Sequence, residues 1–132
     1  MLFSKKSSPQ VTKAVGDAAE DRALAHLQAR GLRLVERNYR VARGPSPRAG
    51  EVDLIQRDRD GTLVFAEVRT RRNAAHGGGA ASPTGAKQRR LIYAAQHVLL
   101  RLATLPPCRC DVVAIEGERI EWIRSAFDLS EP

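Results

Sequence analysis

The feature that most narrows what this chain can fold into is a short apolar run with a carboxylate inside it, Leu63-Val64-Phe65-Ala66-Glu67-Val68. A run this short and this rich in branched and aromatic side chains reads as a central strand, where a bare charge is expensive. It follows Asp58-Arg59-Asp60-Gly61, whose Asp-Gly ending favours a tight turn, and that turn follows a second strand-like run. Glu51 to Arg57 and Thr62 to Arg71 therefore form a central hairpin. If its turn is symmetric about Asp60, residues whose numbers sum to 120 lie opposite one another. Asp53 then faces Glu67 and Glu51 faces Arg69, with Cβ atoms about 4.5–5.5 Å apart. A register with an odd sum places Asp53 and Glu67 on opposite faces of the sheet.

Around the hairpin the periodicities predict one domain over residues 13–127, after a loose tail at 1–12 and before a polar tail at 128–132. A helix spans about Lys13 to Arg30, with Gly31 at its C-cap, and one stripe reads Glu20, Ala23, Leu24, Leu27. That stripe aligns a carboxylate with the apolar face. Leu32 to Val41 reads as a strand, and Ala42 to Gly50, with two prolines and two glycines, as a flexible basic loop. Arg72 to Ala86 is a Gly- and Ala-rich loop of a length that suits closure on a ligand. A second helix runs from Pro83 or Thr84 to Leu105, stopped by Pro106-Pro107, and two strands follow at Cys110–Ile115 and Arg119–Ile123. The order is α-β-β-β-α-β-β.

Composition excludes several classes. With 42% hydrophobic and 28% charged residues the chain is a folded protein rather than a disordered one. It lacks the ~20-residue apolar run of a membrane span and the apolar h-region of a secretory signal, so a cytoplasmic location is expected. Cys108 and Cys110 offer neither a disulfide framework nor a zinc set. The 22 Lys and Arg outweigh the 15 Asp and Glu, for a net charge of +7. From Val68 to Cys110 there are eight basic residues and no acidic one, which points to a polyanionic partner such as DNA or RNA. The competing reading is an arginine-rich solvated surface.

Two carboxylates held as close as Asp53 and Glu67 repel each other, and a divalent cation relieves the repulsion. Mg²⁺, with its preference for oxygen, suits one or two carboxylates plus a substrate phosphate. Arg69 adds a fixed positive charge for that phosphate. Lewis acid, activated water and cation are the components of phosphodiester hydrolysis. The alternative is that both acids simply pair with arginines.

The strings Gly50-Glu51-Val52-Asp53-Leu54-Ile55 and Val64-Phe65-Ala66-Glu67-Val68-Arg69-Thr70-Arg71 resemble the YraN family of small bacterial proteins. Gly16, Glu20 and Ala23, then Arg37-Asn38-Tyr39-Arg40, Lys87-Gln88-Arg89-Arg90-Leu91 and Cys110-Asp111-Val112-Val113 extend the likeness. The resemblance implies an α/β restriction-endonuclease-like core of αβββαβ order, with a mixed central sheet flanked by helices, in the PD-(D/E)xK nuclease superfamily. It implies Asp53 and Glu67 as ligands of Mg²⁺ or Mn²⁺, joined by Glu20, with Arg69 in the superfamily's lysine position and Val52 in place of the usual proline. Gln88 resembles a polar residue that some members supply from the second helix. Arginine cannot act as a base, so Arg69 can only stabilise charge.

Arg43, Arg48, Arg71, Arg72, Lys87, Gln88, Arg89 and Arg90 are the candidate nucleic-acid contacts. His26 and His97 read as structural or surface residues, and His76, before Gly77-Gly78-Gly79, as a substrate-contact candidate; the glycines do not satisfy a P-loop pattern. Tyr39, Tyr93 and Trp122 are the few aromatic candidates for base stacking, Trp122 reading as core. The expected activity is a metal-dependent nuclease acting on structured or branched nucleic acid, dimeric by analogy with resolvases. The alternatives are a non-catalytic nucleic-acid-binding module of the same fold and a basic face that docks an acidic protein.

Overall fold

A computed structural model describes residues 7–71 and 85–129, in the order α1 (Ser7–Gln28), β1 (Arg33–Arg43), β2 (Ser46–Arg57), β3 (Leu63–Thr70), α2 (Gly85–Leu99), β4 (Cys108–Glu116) and β5 (Arg119–Phe127). The five strands form one mixed sheet in the order β1-β2-β3-β4-β5, antiparallel throughout except for the parallel pair β3 and β4, which α2 connects. Neither helix is long and apolar enough to cross a membrane.

The alternation of β3 explains the layering. Val64 and Ala66 pack with Ala19, Ala23 and Leu27 of α1, while Leu63 and Phe65 pack with Leu91, Ala94 and Ala95 of α2. Successive side chains of a strand point to opposite faces, so the helices cover opposite sides of the sheet in an αβα sandwich. Leu63 to Glu67 are all buried, as expected of a central strand.

The central hairpin has the register inferred from its turn. Leu54 pairs with Ala66, Ile55 with Phe65, Gln56 with Val64 and Arg57 with Leu63. Gly61 (φ 92°) donates to the Asp58 carbonyl at 3.0 Å, and Thr62 N–H donates to Asp60 Oδ1 at 3.0 Å. α1 closes on Gly31 (φ 101°), whose N–H donates to the Gln28 carbonyl while Leu32 N–H reaches back to Leu27. Leu27 and Leu32 are both buried, completing a Schellman cap with its apolar contact.

Four boundaries differ from the sequence expectation. α1 begins at Ser7, inside the segment read as a loose tail; Pro9 falls among the first backbone nitrogens, which have no helical partner to lose. The stretch 42–50 is a hairpin rather than a flexible loop. β1 and β2 continue to Arg43 and Ser46, and only Gly44-Pro45 turn, with Gly44 at φ 56°. Pro47 is tolerated because β2 pairs on one side only at that point, its ladder to β3 starting at Leu54. α2 stops at Leu99, six residues before the expected end, and the Arg101 and Leu102 amides make tighter i→i−3 bonds to Val98 and Leu99. Leu100 and Leu105 are 83% and 73% exposed, so no core rewards further helix. β5 runs on to Phe127 because the fully buried Asp111 of β4 holds it: Trp122 Nε1–H (2.9 Å), Ser125 N–H (2.9 Å) and Arg109 Nε–H (3.1 Å) all donate to its carboxylate. Of the stretch read as a Gly- and Ala-rich loop, residues 72–84, Arg72 and His76 among them, lie outside the described residues, and Gly85 and Ala86 open α2.

Candidate functional site

The β2–β3 ladder ends at Leu54 and Ala66, one residue short of Asp53 and Glu67. Val52 packs on the α2 side and Leu54 on the α1 side, so the ordinary alternation breaks at Asp53 between them. Across β1, Arg37 pairs with Leu54 and Tyr39 with Val52, and Asn38 between them has φ 51°. Asparagine is among the few residues that enter this left-handed region at modest cost, so Asn38 marks a local twist in the pair. With the ladder open, Asp53 Oδ2 accepts the Val68 N–H at 2.8 Å.

Asp53, Glu51 and Val52 from β2, Glu67 from β3, and Lys87, Arg90 and Leu91 from α2 line a cavity of about 100 Å³. Gly50 lets α2 lie this close. A Cβ there would stand 2.9 Å from Tyr93 Cδ2 and 3.0 Å from the Ala94 nitrogen.

Burial is the largest influence on the Asp53 carboxyl and pushes its pKa up to about 7. The Val68 N–H opposes that shift, and the negative charges of Glu20, Glu67 and Glu51 add to it. Glu67, 6% exposed, is also raised by burial, against the countering charges of Lys87, Arg69 and Arg90. Lys87 Nζ lies 3.5 Å from Glu67 Oε2. A buried acid is thus packed against a half-exposed base.

Glu20 stands at 13% side-chain exposure, consistent with its inward stripe, and its Oε1 pairs with Arg37 Nη2 at 3.3 Å. Among the described residues no three His, Cys, Asp or Glu side chains converge to cage a metal unaided, so Asp53, Glu67 and Glu20 are not assembled as a ready triplet. Glu51, which the sequence reading left out of the ligand set, joins the cavity wall and pairs with Arg40 of β1 at 3.4 Å. Its i, i+2 spacing from Asp53 was the signal available for it.

The candidate nucleic-acid contacts separate into groups. Arg43, Arg89 and Arg90 line a second cavity of about 600 Å³ with Ile92, Tyr93 and Gln96. Lys87 belongs to the acidic cavity. Arg48 is exposed on the β1–β2 hairpin, Arg71 follows the end of β3, and Gln88 is half-buried in the first turn of α2; none of the three lines either cavity. Burial raises the Cys110 thiol to about 12 and Cys108 in the same direction, which suits reduced structural residues. Trp122 is half-buried, its ring covered by Arg124 at 4.1 Å.

A mixed sheet between two helices, opened at its central strands where a pair of acids lines a small cavity, defines a three-layer α/β protein with an acidic cavity at the end of the β2–β3 ladder. Residues 19–115 match the model of the family described as "Uncharacterised protein family UPF0102", and the chain belongs to that family. It is 66% identical over 119 residues to a UPF0102 protein of Methylibium petroleiphilum, covering 90% of this chain and 98% of that one. A UPF0102 protein of Acidovorax sp. is 60% identical over 121 residues (92% and 89% covered), and one of Cupriavidus taiwanensis 54% over 129 residues (97% and 94%).

Proposed function

We propose that this protein is a metal-dependent phosphodiesterase acting on nucleic acid, built on the PD-(D/E)xK plan. The observation that carries the reading is the pairing of Asp53 and Glu67 in one small cavity where both carboxyls are raised by burial and Asp53 is further raised by its acidic neighbours. The donor set fits Mg²⁺ or Mn²⁺: two hard carboxylate oxygens in a space large enough for an ion and a few waters, with room in the coordination shell for a phosphate. Asp53 and Glu67 would hold the ion, and Glu51 and Glu20 would add negative potential from beside it. When bound, the ion supplies Lewis acidity toward the phosphate and toward an attacking water.

The remaining work falls to this chain's own side chains. The Val68 N–H fixes the orientation of Asp53. Arg69 and Arg90, whose charges already act on Glu67, offer cations to the phosphate as negative charge develops on it. Lys87 neutralises Glu67 from α2 and so limits the repulsion between the acids in the absence of other cations.

Isothermal titration with Mn²⁺ and cleavage of labelled branched and linear oligonucleotides test the proposal. Binding abolished by Asp53→Asn, together with Mg²⁺- or Mn²⁺-dependent cleavage, supports it; neither binding nor cleavage of any nucleic acid overturns it. The Lys87–Glu67 contact favours one second reading, a non-catalytic nucleic-acid-binding module in which the ammonium neutralises the acid permanently. That module binds oligonucleotides with a steep salt dependence that Asp53→Asn leaves unchanged and Arg89→Ala weakens.

A further inference from the structure

The larger cavity has chemistry opposite to that of the acidic one. Among the described residues its wall carries Arg43, Arg89 and Arg90, the ring of Tyr93 and the amide of Gln96, with no carboxylate, and its volume of about 600 Å³ is in the range of small-ligand sites. The acidic cavity, at about 100 Å³, is too small for a nucleotide. Arg90 lines both, so a phosphate held by Arg90 is adjacent to the acids on one side and to the Tyr93 ring on the other.

We infer that the Arg43–Arg89–Arg90–Tyr93 cavity receives one unpaired nucleotide next to a phosphate held by Arg90, its base stacked on Tyr93. The inference rests on the reading that the protein engages nucleic acid and adds the substrate class: DNA or RNA with a base out of the helical stack. Arg43 and Arg89 attract phosphate, and Arg90, whose charge also acts on Glu67, adds a third cation to the same wall. Tyr93 lies in a concavity rather than on a protrusion, so a base still stacked in a duplex does not reach it. A single aromatic ring in the wall accommodates a single base, and Gln96 offers both a donor and an acceptor to the edge of that base.

Arg43 sits over the Tyr93 ring at 5.4 Å. An exposed cation over a ring is worth about 0.5–1 kcal/mol, whereas a stacked base is worth about 1–3 kcal/mol. A base therefore displaces Arg43, and the guanidinium, exposed and mobile about its long stem, turns to the phosphate. The His97 ring lies 5.7 Å from that of Tyr93 at a tilt of 59°, so it does not cover Tyr93 as a parallel stack would.

The test is fluorescence anisotropy in EDTA, so that neither cleavage nor metal binding enters, with three duplexes in DNA and RNA versions: fully paired, carrying one unpaired nucleotide, and carrying an abasic residue at that position. The expected result for the wild type is about tenfold tighter binding of the unpaired nucleotide than of the abasic or fully paired duplex, the equivalent of about 1.4 kcal/mol. Tyr93→Leu removes the preference; Tyr93→Phe keeps it. The abasic arm uses unaltered protein, so the conclusion does not depend on the fold of a variant. Equal affinity for all three duplexes overturns this inference and leaves the phosphodiesterase reading standing. A base-dependent preference in a protein that binds no Mn²⁺ sustains the inference and removes catalysis. Binding of none of the duplexes overturns the inference outright.

Discussion

The two cavities share a wall and differ in almost everything else. The acidic one is small, bounded by the central strands and α2, and set by backbone: an opened ladder, a left-handed Asn38 and a glycine under α2. The basic one is six times as large and set by side chains of α2 and the β1–β2 hairpin. Rigid backbone surrounds the groups whose charge must be confined, and adaptable arginines surround the space where a polymer would lie. In the proposed phosphodiesterase the difference would separate the site of chemistry from the site of grip, with Arg90 common to both.

Ways to break that division begin with the acids themselves. Glu67→Gln removes one of two proposed ligands and is expected to lower Mn²⁺ affinity at least about 100-fold by titration calorimetry, while anisotropy with oligonucleotides in EDTA stays unchanged. A loss of both would mean that the cavities act as one. Next in size is Gly50→Val, whose side chain meets Tyr93 and the Ala94 backbone and must lift α2 from β2. Overpacking of this kind costs about 1–3 kcal/mol, so a fall of roughly 5–15 °C in Tm is expected, with both functions impaired together.

Asp53→Asn sharpens the comparison through pH. The Asp53 carboxyl sits near 7 in the folded protein against 3.8 ordinarily, so the fold favours the protonated form. Its contribution to stability is full below about pH 4 and is lost as pH rises through 7. Asparagine keeps an acceptor for the Val68 N–H and never acquires the charge. Without divalent ions the variant is therefore expected to melt several degrees above the wild type at pH 8, with the gap closing toward about pH 4. Saturating Mn²⁺ is expected to raise the melting temperature of the wild type alone. A variant less stable than the wild type at pH 8 would show that Asp53 is already neutralised by its surroundings. The smallest effect belongs to Arg43→Ala. It is expected to weaken oligonucleotide binding only a few-fold and to reduce the slope of log K against log salt by about one, with Mn²⁺ binding untouched.

Much of the architecture was readable beforehand because it depends on local pattern. The Asp-Gly turn gave the hairpin register that Leu54–Ala66 and Arg57–Leu63 display, Gly31 marked the end of α1, and the buried run at β3 announced a central strand. Where the reading went astray, local composition misled it. Two prolines and two glycines at 42–50 suggested a loop, yet a strand paired on one side tolerates Pro47, and only Gly44-Pro45 needed to turn. Leu100 to Leu105 continued a helical pattern that ends for want of a surface to cover. The chain alone also could not sort the arginines. Arg43 and Arg90 belong to a cavity and Arg48 does not, although all three are equally basic on paper.

The amino-acid sequence by itself determined which residues could carry charge into the sheet, Asp53 and Glu67 across one turn with Glu20 on a helix, because periodicity and turn chemistry act over a few residues. Tertiary structure alone decided what that charge meets. Arg37 takes hold of Glu20, Lys87 reaches Glu67, and Glu51 joins the cavity wall, since these partners come from elements that meet only when the layers pack. Coulomb interactions depend on distance and on the water removed between groups, and neither exists until the chain has folded.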